Sequence, residues 1–142
     1  MIGGANVDIQ GRVSSAALVG ESNPGRVTRS AGGVGRNVAH RLALIGVDTT
    51  LVTALGDDED GRWLAWVTSG AGVDLGRAIW SQQRTATYLA VLDENGEMVL
   101  AVNDMAVLTD LDVGAIEARA AIVDAAAAVV VDCTLDESTL RA

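Results

Sequence analysis

Aromatic residues are scarce: three tryptophans, one tyrosine and no phenylalanine among 142 residues. There is one proline, one histidine and one cysteine. A lone cysteine excludes an internal disulfide, and one Cys with one His excludes the paired spacing of a structural zinc site. No run of about 18 apolar residues occurs, so no helix is expected to span a membrane. Residues 1–10, "MIGGANVDIQ", hold neither a basic region nor a long apolar run and do not read as a secretory leader. A cytoplasmic, reducing location is the resulting expectation. Basic residues are few, 10 against 19 acidic, for a net charge of −9. That argues against nucleic acid and anionic membranes as partners, because both need clustered Lys and Arg.

Apolar residues make up 49% and charged residues 20%, which suits one globular domain with a single core. The chain alternates in character. "NVDIQGRV" (6–13) alternates apolar and polar residues as a strand does. A turn at Asn23-Pro24-Gly25 precedes a short strand, "RVTRS". From Gly33 to Ile45 the period becomes helical, with Val34, Val38, Leu42 and Ile45 on one face and Gly46 as the stop. "DTTLVTALG" (48–56) reads as a buried strand, and a helix starts at about Asp60. "RAIWS" and "TATYLAVLD" are strands, and "ENG" turns the chain into "EMVLAVND" to make a hairpin. Residues 108–127 read as two helical pieces. "AVVVDCTL" (128–135) reads as a buried strand with Cys133 as a structural thiol, and "DESTLRA" begins another helix.

This order predicts an α/β fold with a mainly parallel sheet flanked by helices and a small β appendage. Such sheets usually hold more βα units, so an incomplete domain is expected.

The stretch "SAGGVGRNVAHRLALIG" (30–46) leads a helix with glycines. A helix start presents free N–H groups and partial positive charge. Yet "GGVGRN" is neither a phosphate-binding loop nor a dinucleotide fingerprint. Two readings stay open: close approach by a ligand, or tight packing and a positive φ. Asn6 and Asp8, two apart on an extended chain, face one side. With Asn37 in the first helical turn, an amide, a carboxylate and bare backbone suit a neutral polyhydroxyl ligand. Other residues have plainer readings. His40 is expected in solvent, Trp63 and Trp66 in packing, and Trp80 partly exposed. Asp57 to Asp60 lack calcium-loop spacing and suit an acidic helix start.

"GGANVD", "AGGVGRNVAHRLALIG" and "LVTALGDDEDG", in this order, resemble the N-terminal half of the ribokinase-like, PfkB-type carbohydrate kinases. The glycine segment resembles that family's first signature, and Gly56-Asp57-Asp58 with Gly61 its "GDD..G" element. "SNPGRVTRSAGGVGRNVA" and Asn103-Asp104-Met105 are more narrowly similar to the pseudouridine kinases within the family. The resemblance implies that residues 1–142 form the sugar-binding part of a kinase domain, with lid segments at about 12–30 and 85–104. It implies that Asn6, Asp8, Gly32, Gly33 and Asn37 hold the sugar. Ser30, Asn103, Asp104 and Met105 would approach a base, although Ser30 and Asn103 also read as an ordinary turn and strand end. ATP and Mg2+ would serve the full-length family from a C-terminal part that this chain lacks. No catalytic base is assigned, no metal site is assigned, and the chain alone is expected inactive and without bound cofactor. The implied partners are a sugar or nucleoside, and a second copy through the β lid. The alternatives are a non-catalytic truncated paralogue, a ribokinase- or fructokinase-like sugar kinase, and a nucleotide module whose glycines hold phosphate.

Overall fold

The computed structural model describes residues 1–141. Strands β1 (Asn6–Val13) and β2 (Gly25–Gly32) lie either side of the Asn23-Pro24 turn and precede helix α1 (Val34–Leu44). The β-branched run divides into β3 (Thr49–Thr50) and β4 (Ala54–Gly56), followed by α2 (Glu59–Ser69). Short strands β5 (Val73–Asp74) and β6 (Ile79–Ser81) lead to the hairpin of β7 (Thr87–Leu92) and β8 (Met98–Asp104). A 3₁₀ turn (Ala106–Asp110) and helices α3 (Val113–Glu117), α4 (Ala120–Asp124) and α5 (Glu137–Arg141) complete the order.

A parallel layer forms the base. Ile2 bridges Val52 on one side and Val131 on the other, both in parallel sense. β3 pairs with β5 and β4 with β6, also parallel. Successive residues of this layer face opposite ways. Ile2 and Val52 pack with Val107, Leu111 and Leu135, whereas Leu51 packs with Ala39 and Val73 under α1. Leu51, Leu55, Leu64 and Leu111 are fully buried, each contributing about 2–3 kcal/mol.

A second sheet stands apart from this layer, with strand order β2-β1-β7-β8. β1 and β7 run parallel, and the outer pairs are antiparallel. This is the expected small β lid. It starts at Asn6, earlier than the expected segment from about 12, because the chain leaves the parallel layer directly into β1. One face rests on α2 through Val7, Ile9 and Ala31 against Leu64, Trp63 and Val67. The Arg29 guanidinium lies 3.9 Å over the Trp63 ring and pairs with Asp60. The opposite face is open.

Four expectations are corrected. The core face of α1 is Gly35, Arg36 and Ala39, not the Val34–Val38–Leu42–Ile45 stripe; Val34 is 58% exposed. The helix starts so close to Gly3 that a side chain at Gly35 would sit 2.6 Å from the Gly3 carbonyl carbon, so small residues mark the buried face. The run Val129–Val131 is a half-exposed edge rather than a buried strand, and Cys133 beyond it is exposed. Trp66 is 74% exposed, because only Trp63 of the pair turns toward the lid. His40 is half-buried with Nδ1 sequestered and unpaired. Burial first, then the charges of Arg36 and Arg41, holds its pKa below the ordinary histidine value. Among the described residues, no helix is long and apolar enough to cross a membrane.

Candidate functional site

A cavity of about 610 Å³ opens where the lid meets the start of α1 and the segment after Val131. Its lining includes Asn6 and Asp8 of β1, Gly33 and Asn37 at α1, and Asn103 and Met105 at the end of the hairpin. Tyr88, Leu108, Thr109, Asp132, Thr134 and Asp136 complete much of the wall.

Strand register explains the convergence. Asp8 is paired with Ser30 on β2 and with Tyr88 on β7, and Tyr88 is paired with Asn103 on β8. Paired positions point to the same side of a sheet, so a carboxylate, a phenol and an amide stand in one row on the open face. Asn6 Nδ2 donates to Asp8 Oδ1 at 2.6 Å and fixes the carboxylate. Gly32, opposite Asn6, has no side chain because the Asp8 carboxylate occupies that place.

Three expected residues do not line the cavity. Ser30 shares the row but sits on the outer strand and is exposed. Gly32 supports Asp8 from outside the wall. Asp104 follows Asn103 and therefore faces the other side of β8, where its Oδ1 accepts from the Ala106 N–H at 3.4 Å.

The glycine segment answers a structural demand. Gly33 has φ +93°, and a side chain there would meet the Gly4 carbonyl oxygen at 2.5 Å. Three N–H groups at the helix start are taken internally. Gly35 donates to Asp132 Oδ2 at 3.1 Å, Arg36 to Gly4 O at 3.0 Å, and Asn37 to Gly33 O at 2.8 Å. With these three amides engaged and the Asp132 carboxylate against one of them, they are not open to a phosphate.

Asp132 was not foreseen. It is 6% exposed, and its Oδ1 accepts from the Thr134 N–H at 3.1 Å. Its available signal was position: an acidic residue at the C-terminal end of an apolar parallel run, where open α/β sheets bind ligands. Tyr88 was legible only through register with Asp8.

The acidic run after β4 is a joint. Asp58 caps α2, its Oδ1 accepting from the Gly61 N–H at 2.7 Å and the Thr85 hydroxyl at 2.6 Å. Its Oδ2 accepts from the Thr85 N–H at 2.8 Å. Burial works to raise its pKa, but the Thr85 hydroxyl, the N–H groups of Thr85 and Gly61, and Arg84 outweigh it and hold the carboxyl below its ordinary value.

Chemically, the cavity offers carboxylates at Asp8, Asp132 and Asp136, amides at Asn6, Asn37 and Asn103, and one aromatic ring. No Arg or Lys lines it among the described residues. Such a wall suits an uncharged ligand rich in hydroxyl groups.

The family model for pfkB family carbohydrate kinases matches residues 1–142. Pseudouridine kinase of Escherichia coli (strain K12) is 35% identical over 141 residues, 99% of this chain and 45% of that protein. An uncharacterized sugar kinase of the same organism, YeiI, is 37% identical over 142 residues, 99% of this chain and 39% of that protein. The solved carbohydrate kinase from Agrobacterium tumefaciens superimposes with a TM-score of 0.87 at 30% identity, over 98% of this chain and 46% of that one. The chain thus spans less than half the length of these relatives. The match over all 142 residues, with the lid and glycine-led helix it accompanies, means that the chain belongs to the pfkB family of carbohydrate kinases.

Proposed function

We propose that this chain is the substrate-binding portion of an ATP-dependent nucleoside kinase, with pseudouridine as the substrate and its 5′-phosphate as the product. The row Asp8–Tyr88–Asn103 carries the reading. Asp8 accepts from a ribose diol, the Tyr88 ring offers an apolar face to a base, and the Asn103 amide both donates to and accepts from a uracil edge. The absence of a lining cation favours an unphosphorylated substrate. The 35% identity to a pseudouridine kinase points the same way.

A simple sugar kinase is the second reading, favoured by the 37% identity to a sugar kinase. It needs the diol anchor but no use for Tyr88. In either reading Asn6, Gly33, Asn37 and Met105 form the substrate wall, and Gly32 supports it.

ATP and Mg2+ belong to the whole kinase in this proposal. The residues here do not fit them: three amides at the α1 start are engaged, and the cavity has no phosphate-pairing cation among the described residues. No residue of this chain is therefore assigned as catalytic base. The phosphoryl-transfer groups are placed in the further length that the relatives have, and a cytoplasmic location goes with the supply of ATP. On the α2 side of the lid, beyond the part that α2 covers, Leu89, Leu100 and Val102 are exposed, which supports pairing with a second copy.

Titration calorimetry with pseudouridine, uridine, D-ribose, D-fructose and ATP tests the reading. Pseudouridine should bind tightest. A preference for D-ribose or D-fructose over both nucleosides moves the assignment to a sugar kinase, and binding of ATP alone overturns both readings.

A further inference from the structure

We propose that Arg36 is a positioning residue that locks Asn37 as a hydrogen-bond donor to the ligand. The inference rests on the cavity being the substrate site. Arg36 is 7% exposed and lies on the core face of α1. Its Nε donates to Thr68 Oγ1 of α2 at 3.1 Å, and its Nη1 donates to Asn37 Oδ1 at 3.2 Å. No carboxylate forms an ion pair with it among the described residues. A buried guanidinium without a counter-ion costs free energy, so it calls for another reason to be there.

The chemistry of the two groups supplies one. A guanidinium carries five N–H donors and no acceptor. The Asn37 amide can meet it only through Oδ1. The Nδ2 group is thereby turned away from Arg36 and left for the cavity that Asn37 lines. Across the cavity the polarity is reversed. Asp8 Oδ1 accepts from Asn6, while Oδ2, which lies over Gly32, accepts no hydrogen bond among the described residues. The site thus presents one fixed acceptor and one fixed donor. A vicinal diol meets both, one hydroxyl donating to Asp8 and the other accepting from Asn37. Without Arg36 the amide could turn over and present oxygen, and this fixed pattern would be lost. Thr68 anchors the guanidinium from α2, the helix beneath the lid, so the orientation is built into the packing of two helices.

The test is a double-mutant cycle of Arg36→Met and Asn37→Ala, read by calorimetric affinity for pseudouridine and for D-ribose. Arg36→Met should weaken binding about five- to tenfold when Asn37 is present and by less than about twofold when it is Ala. Arg36→Lys, whose ammonium also only donates, should recover most of the loss. Equal losses in both backgrounds mean a general structural effect and overturn the proposal. Asn37→Asp, at an exposed position, guards against an Arg36→Met variant that does not fold. Its carboxylate pairs with Arg36 but offers no donor, so binding should fall about tenfold or more. Binding at the wild-type level by Asn37→Asp overturns the donor role. Coupling seen with D-ribose, with pseudouridine unbound, supports the positioning role and removes only the nucleoside reading.

Discussion

Asp132 Oδ2 lies 3.1 Å from the backbone nitrogen of Gly35, a residue 97 positions earlier in the chain. The same oxygen accepts from the Gly4 N–H at 3.2 Å. The N-cap of α1 is Gly33, which has no side chain to cap with. Asp132 does that work from the segment after Val131 and joins α1 to the chain entering β1. Asp132→Ala should leave two buried N–H groups unpaired and cost about 2–4 kcal/mol, roughly 10 °C in melting temperature. Asp132→Asn, which keeps one acceptor oxygen, should lose less. An unchanged melt for the alanine variant would remove the cap from the account.

Asp58 predicts a pH effect. Its folded-state carboxyl lies below the ordinary value of 3.8, so the native state favours the ionised form. That contribution is complete above the unfolded-state value, and it fades as pH falls through the depressed folded-state value. Asp58→Asn should cost about 1–2 kcal/mol at neutral pH and flatten the decline of stability below about pH 4. Denaturant melts at several pH values check it. Equal acid slopes for the two proteins count against the joint.

Local pattern carried the element order, because strand alternation and helical period are properties of short stretches. That Asn6, Asp8 and Asn37 line one cavity was legible for the same reason: spacing and element type place them. Close packing was not legible. The period of α1 selected Val34 and Ile45, but the approach of its backbone to Gly3 made Gly35 and Ala39 the core face. Nor can spacing join positions that only register brings together. Tyr88 becomes a wall residue by pairing with Asp8, and Asp132 by reaching back to Gly35. Asp104 fails for the converse reason: its neighbour Asn103 takes the inner face, and alternation sends it outward.

Two glycines separate packing from propensity. A side chain at Gly35 would sit 2.6 Å from the Gly3 carbonyl carbon and 2.8 Å from its Cα, both backbone atoms. Gly11, in β1, has nothing within 4 Å of that position. Gly35→Ala should displace α1 and cost about 2–4 kcal/mol, with weaker ligand binding as Asn37 moves. Gly11→Ala should change stability by no more than about 0.5 kcal/mol. Thermal melts of the two variants decide it. Equal effects would mean that the approach of α1 to Gly3 is not a constraint.

If the proposed nucleoside reading holds, variants at Asp8 and Tyr88 should separate binding of the sugar from binding of the base. Asp8 lines the cavity, and its Oδ1 accepts from Asn6. Removing a charged acceptor costs about 1.5–3 kcal/mol, so Asp8→Ala should weaken both D-ribose and pseudouridine by about ten- to a hundredfold. Asp8→Asn should lose most of the same affinity, because the amide accepts through one oxygen only and carries no charge. Tyr88 is half-buried beside it, and in the nucleoside reading its ring serves the base and not the sugar. Tyr88→Leu should therefore weaken pseudouridine by about three- to tenfold and leave D-ribose within about twofold. Calorimetry on the three variants with both ligands gives a complete pattern. If Tyr88→Leu affects the two ligands equally, the ring belongs to the sugar wall, and the nucleoside reading loses its main support. If Asp8→Ala leaves both affinities unchanged, the diol is held elsewhere and the row Asp8–Tyr88–Asn103 is not the recognition surface.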